Sequence, residues 1–369
     1  MDSPWYKRPS SLPLGIFLAA LVIIIVGGSI RVLDAGESCP DWPKCFGQWT
    51  FDVSEEEQGI WYEENPTEID SRGADYRYTT LEIFVEWFHR LIASLISIPV
   101  LANFLLIRSK REIYGDHLVK VSFFTGILLI IQGIAGYTTV KFDNEDWTVA
   151  LHLTLALSFL SILLWQWMLM RKKEGAKWSM LSVPANFVAS EFKRFVSLTS
   201  AILLLLILGS WVASTAGGNY NQACSVGFPD GWPKCQGNWL PSFDGAGILV
   251  QMIHRFGAGI VGIALILGGM KIREKTREYD APIGYSRCFD IATGFWWANI
   301  FVGGLYIVFA KMGDFPEGLS LVHLTIGIAG FLSAAIATML LRISSYSDEP
   351  QVNESIIDVI IVEGGGEDE

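Results

Sequence analysis

Charge is what this sequence has least of. Only 18% of its 369 residues are Asp, Glu, Lys or Arg, against roughly 25% in an ordinary soluble domain. The mean hydropathy is +0.37. That deficit excludes a soluble enzyme with a single anchor, and a chain that is 51% apolar is neither disordered nor collagen-like. The acidic balance carries no hint of a nucleic-acid binder, which wants Lys and Arg clustered on one face. The first twelve residues have neither a cleavable signal peptide nor an Arg- and Ser-rich presequence. The expected location is therefore the plasma membrane of a prokaryote.

Histidine is scarce, with five in the chain, and the net charge of −11 is unevenly spread. Residues 50–80 hold nine acids against Arg72 and Arg77, and eight acids follow Arg342 with no base among them. Acidic runs such as Glu55-Glu56-Glu57 read as solvated surface.

What the sequence has is apolar length. A bilayer-spanning helix needs about 20 mostly apolar residues, and eight stretches qualify: 13–31, 81–107, 121–140, 147–170, 195–217, 247–270, 288–310 and 318–341. Lys7 and Arg8, Arg108 to Lys120, Arg171 to Arg194 and Lys271 to Arg287 fall in one set of connections. The alternate set has only scattered bases such as Lys44, Lys141, Lys234 and Lys311. Basic loops stay inside, so both termini are expected in the cytoplasm.

The chain also repeats itself. Cys39-Pro-Asp-Trp-Pro-Lys-Cys45-Phe-Gly-Gln-Trp49 matches Pro229-Asp-Gly-Trp-Pro-Lys-Cys235-Gln-Gly-Asn-Trp239, and Glu86-Trp-Phe-His89-Arg90 matches Gln251-Met-Ile-His254-Arg255. His152 and His323 each open a His-Leu-Thr triplet. The expected fold is an all-α membrane protein of eight transmembrane helices, arranged as two repeated four-helix bundles in parallel topology. The divisions are a cytoplasmic N-terminus at 1–12, a first bundle at 13–170 with the acidic insert 50–80, a cytoplasmic linker at 171–194, a second bundle at 195–341 and an acidic tail at 342–369. The tail is expected to be disordered.

Spans two, four, six and eight run in the same direction, and each carries one histidine. At 1.5 Å per residue, His89, His152, His254 and His323 lie roughly 8–12 Å below the outer edge. The fifth, His117, belongs to a cytoplasmic loop. An ionisable side chain within a membrane points to function. Two repeat-related pairs at matched depth, without further ligands for a small metal site, suit two bis-histidine haem pockets between facing helices. Arg90 and Arg255 follow a histidine directly and lie about 100° round the helix. They are expected to reach the propionates, whose geometry matches a guanidinium.

The halves differ at one position. Glu86 stands three residues before His89 and shares its helix face, whereas its counterpart Gln251 cannot ionise. The first pocket is thus suited to acid–base or charge-stabilising chemistry, and the second to holding a haem. Four of the five cysteines fall into two outer-loop pairs, Cys39/Cys45 and Cys224/Cys235, where oxidising surroundings favour disulfides. Spacing alone leaves open whether either is structural or redox-active.

Together these motifs, over residues 13 to 341, resemble the haem A synthase family. The resemblance implies oxidation of the C8 methyl of haem O to a formyl group by two successive hydroxylations with water-derived oxygen. It implies that His89 and His152 flank the substrate haem and that Glu86 is the catalytic carboxylate. It further implies that His254 and His323 are the iron ligands of a haem b cofactor, and that Cys39 and Cys45 are the family's loop-one pair. The farnesyl tail of haem O would need a lateral opening to lipid. A haem O synthase upstream, haem–copper oxidase assembly proteins downstream, an electron acceptor of unknown identity and the lipid bilayer are the implied partners, with a homo-oligomer left open. The acidic insert, the acidic tail and the ten residues between Cys224 and Cys235 depart from the family pattern.

Three other readings remain at this point. A di-haem electron carrier leaves Glu86 against Gln251 unexplained, a thiol–disulfide oxidoreductase leaves the histidines unexplained, and a secondary transporter would call for broken helices.

Overall fold

The computed structural model describes residues 4–213 and 223–345. Most of the acidic tail and the end of the fifth expected span therefore lie outside the described residues. Among those residues there are ten α-helices and no strand. They are α1 (Ser11–Val32), α2 (Glu55–Glu64), α3 (Thr80–Leu95), α4 (Ser97–Ser109), α5 (Arg111–Lys141), α6 (Asp146–Lys173), α7 (Ala185–Val212), α8 (Ala246–Glu278), α9 (Gly284–Phe309) and α10 (Glu317–Ser345).

Eight spans are long and apolar enough to cross a membrane, with α3 and α4 forming one of them over Thr80–Ser109. The interruption at Ile96 has a local cause. Pro99 has no N–H to give the carbonyl of Leu95, so the ladder breaks one turn earlier. In α5 the backbone leaves helical geometry at Gly115, with φ of 79°, a left-handed value that glycine adopts without steric cost. His117 consequently stands in the first regular turn of α5 and not in a loop.

The helices outrun their apolar stretches. α6 continues to Lys173 and α7 begins at Ala185, so only 174–184 connects them. This early start of α7 is held by an aromatic cluster in which Phe187 and Phe195 pack on Tyr285 and Phe195 on Phe289. All four rings are buried.

α1, α6, α7 and α10 pack together along the middle of the molecule, with α3, α4 and α5 on one side and α8 and α9 on the other. Leu157, Leu160, Leu163, Ala334 and Leu341 fill that seam. The rim is the reverse of a soluble protein's, because Leu18, Val22, Ile98, Leu204, Ile260 and Phe301 are exposed. So wide an apolar surface is a liability in water. In lipid, helices associate by close packing and interhelical hydrogen bonds. The protein is a multi-pass membrane protein.

The two long loops sit at one end of the bundle. In each, a two-residue turn joins a short antiparallel bridge, Cys45 to Gln48 and Cys235 to Asn238. Phe46 and Gly47, and likewise Gln236 and Gly237, have positive φ, as a hairpin turn of type I′ requires. The acidic insert is folded. Ser54 and Thr79 close capping boxes on α2 and α3, and Gln58 donates to the Val53 and Tyr78 carbonyls and accepts from Tyr78 N–H. Glu55, Glu56 and Glu57 are exposed.

Candidate functional site

A single cavity of about 1870 Å³ opens among the helices beneath the two loops. His89, His152, His254 and His323 all line it, and so do Glu86, Arg90, Gln251 and Arg255. The side chains singled out in the sequence thus meet in one space.

Each imidazole rests on a glycine of the preceding span. A Cβ on Gly27 would lie 3.0 Å from Cε1 of His89, one on Gly136 2.9 Å from that of His152, one on Gly209 3.0 Å from that of His254 and one on Gly303 2.8 Å from that of His323. No ordinary side chain leaves such room, so α1, α5, α7 and α9 seat the rings on bare backbone. Sequence reasoning missed these four residues. Its only signal was one suitably placed glycine per odd-numbered span, lost among 36 glycines.

The seat also orients the ring. His323 Nδ1 lies 3.0 Å from the carbonyl oxygen of Asn299, four residues before Gly303. Donating to it leaves the Nε2 lone pair free for a ligand bond, a role that the partner of the other ring nitrogen commonly sets. The Gln132 amide lies 3.2 Å from His152 Nδ1. The buried Nδ1 of His254 makes no hydrogen bond.

The rings of His254 and His323 are 6.4 Å apart between centroids. Two imidazoles on opposite sides of one metal ion, at metal–nitrogen distances of roughly 2.0–2.1 Å, have centroids about 6 Å apart. The pair fits a bis-histidine haem. Among the described residues no group of three His, Cys, Asp or Glu side chains is placed to hold a bare ion.

Beside the histidines the halves diverge. The Glu86 carboxylate is buried. Its Oε2 accepts from Ser38 Oγ at 2.9 Å and from Cys39 N–H at 2.8 Å, while Oε1 pairs with the Arg90 guanidinium. Arg90 also donates to the Asp41 carbonyl at 3.1 Å. In the other half Arg255 donates to Gln251 Oε1 at 3.2 Å and to the carbonyls of Gly231 and Lys234 at 2.8 and 3.0 Å. Asp41 and Gly231 occupy the same place in the repeated loop motif, so each arginine clamps its own loop. Arg255 keeps one buried Nη2 with no partner, a donor suited to an incoming carboxylate.

Both cysteine pairs are disulfides, Cys39–Cys45 and Cys224–Cys235. Cys45 and Cys235 coincide in the repeat and their partners do not. Only the first bridge touches the ionisable group, through Cys39 N–H on Glu86. Cys288 remains a free thiol.

A second buried carboxyl lines the cavity near the loops. Glu37 is buried and accepts from Asn144 Nδ2 at 2.7 Å. Burial pushes its carboxyl up to about 7, with Asp70 and Asp143 pushing the same way and Asn144 and Arg72 opposing. Nothing in the sequence set it apart from the other acids.

Residues 11–334 match the model of the cytochrome oxidase assembly protein family. The chain is 26% identical over 272 residues to the haem A synthase of Shewanella oneidensis, covering 67% of this chain and 74% of the relative. It is 27% identical to that of Shouchella clausii over 256 residues, or 68% and 71% of the two chains. The haem A synthase of Flavobacterium psychrophilum matches at 23% over 353 residues, 90% of this chain and 94% of the relative. The chain belongs to the haem A synthase family. The family match takes in every helix that lines the cavity.

Proposed function

We propose that this protein oxidises the C8 methyl of haem O to a formyl group, completing haem A for cytochrome oxidase. The observation that carries the reading is the buried Glu86–Arg90 pair beside His89, set against the uncharged Gln251 beside His254. One half has the means to stabilise charge developing on a substrate, and the other has a matched histidine seat without it.

In this reading the chain is two repeated four-helix bundles with both termini in the cytoplasm and the disulfide loops on the outer face of a prokaryotic plasma membrane. His89 and His152 flank the substrate haem, and His254 and His323 ligate a haem b. Arg255 offers its free Nη2 to a propionate, and Arg90 meets the other haem from the Glu86 side. The haem b, when bound, supplies one-electron redox chemistry.

The first oxidation converts the methyl and one water into a hydroxymethyl group, two electrons and two protons. The second converts that group and another water into a hydrated aldehyde, again with two electrons and two protons, and loss of water leaves the formyl group. Glu86 is fixed by Ser38, Cys39 and Arg90 before reaction begins. Its negative charge, held in a space of low dielectric constant, stabilises positive charge at the carbon that loses electrons. Its carboxylate can take the proton released there. The four electrons leave for an acceptor outside the chain. A haem O synthase supplies the substrate and oxidase assembly consumes the product.

The test is mass spectrometry of haems extracted from cells that co-express the chain with a haem O synthase, alongside a Glu86→Ala variant. Haem A or its alcohol precursor is expected, and is expected to vanish in the variant. Only haem B and unreacted haem O, with folded protein present, would overturn the reading.

A further inference from the structure

The two ends of the cavity meet the surrounding lipid differently. On span two the cavity is lined by Ser94, Ile98 and Leu101, and on α5 by Ile127, Ile130 and Gly133. All six are exposed on the outside of the molecule; Ile98 is 66% exposed and Ile130 61%. Residues that face both the cavity and the surroundings mark a side opening. α4 packs on α5, whereas α3 packs chiefly on α1, so the gap widens above the break at Ile96, at the level of His89.

The equivalent seam in the other half is shut. α8 and α9 pack on one another, and no cavity-lining residue of either helix is exposed. Trp296 closes it. Its indole N–H donates to the Ala258 carbonyl across the seam at 2.9 Å, and a Cβ on Gly262 would meet the Trp296 and Trp297 rings at 3.1–3.3 Å.

We infer that the slot between span two and α5 is the lateral doorway for an isoprenoid-tailed porphyrin, and that the sealed α8–α9 seam keeps the other haem resident. This rests on the assignment of a substrate haem to the first half. The slot adjoins matching chemistry: a histidine pair for a metal, an arginine on the loop side of it for acidic edge groups, and an apolar passage to the bilayer for a tail. The occupant is thus an amphiphile that arrives from lipid with its tail trailing, and it needs no route through the folded loops.

Gly126 and Gly133 line this slot with nothing within 4 Å of an added Cβ, so a side chain there starts out into open space. Gly294 on α9 is equally open and lies off the cavity, which makes it the control. The experiment uses the full chain in lipid nanodiscs with farnesol carrying a diazirine. Photolabel is expected on peptides of α4 and α5 at least tenfold above those of α8 and α9. Gly126→Trp and Gly133→Trp are expected to abolish that labelling and to slow haem O uptake about tenfold. The haem content of the second half, which also reports folding, should stay unchanged in both, and Gly294→Trp should behave as wild type. Equal labelling of the α8–α9 seam, or labelling and uptake untouched by both slot variants, would overturn the doorway. Slot labelling and haem O uptake without haem A formation would uphold the doorway and overturn the synthase reading instead.

Discussion

Gly303 and His323 form one seat: a Cβ on the glycine would stand 2.8 Å from the imidazole Cε1 and 3.1 Å from Nδ1. The same ring donates to the carbonyl one turn earlier on α9. Contact and hydrogen bond are linked, since only a bare backbone lets the ring approach the helix closely enough to reach that oxygen.

Gly303→Ala and Gly209→Ala are therefore expected to push His323 and His254 out of register. Overpacking of this kind costs about 1–3 kcal/mol, and here the imidazole is the group that moves. On the proposed assignment of a haem to His254 and His323, purified variants should lose its low-spin spectrum, while Gly294→Ala keeps it. Haem content and spectrum together check this.

Replacing Glu86 with Gln removes the charge and keeps the shape. Haem binding should survive while haem A formation falls about 100- to 1000-fold, the usual loss for a preorganised charge-stabilising group. Ser38→Ala takes one hydrogen bond from the same carboxylate and should cost less. Single-turnover conversion of loaded haem O measures both. Unchanged rates in Glu86→Gln would transfer the chemistry to another group.

Glu37 makes the fold sensitive to pH. Its carboxyl titrates near 7 when folded, against an ordinary 4.5, because it is buried and faces Asp70 and Asp143, with Arg72 and Asn144 only partly compensating. The folded state then holds this proton more tightly than the unfolded state. The associated stability is complete below about 4.5 and is lost as pH rises through about 7. Glu37→Gln should flatten thermal stability across that range, and melting curves between pH 5 and 8 would detect it.

The two disulfides should separate in their effects. Closing loops this small contributes about 2–3 kcal/mol each by chain entropy, so serine at either pair should lower the melting temperature. Only the Cys39/Cys45 pair adjoins Glu86, and its removal should also slow turnover. Equal turnover in both double variants would reduce the first bridge to a staple.

Hydropathy made all eight spans legible, because the bilayer imposes one length on each. It could not place their ends. α7 begins ten residues before its apolar run, held by Phe187 on Tyr285, a contact between residues almost a hundred apart in the chain. Glu86 and His89 could be read together because both lie on one helix at a fixed spacing. Ser38 and Cys39 against Glu86, or Gly27 beneath His89, join different segments and leave no periodic trace. Likewise, the repeat drew attention to two pockets, whereas the shared cavity depends on how the halves pack.

Both histidine pairs border that one cavity. Charge gained at one end is felt at the other through a medium that screens it far less than water. The electron affinities of the two ends are thus a joint property, and a substitution that retunes one resets the other. With a haem at each end, as proposed, the two midpoint potentials should move in concert, so a titration of either reports on both.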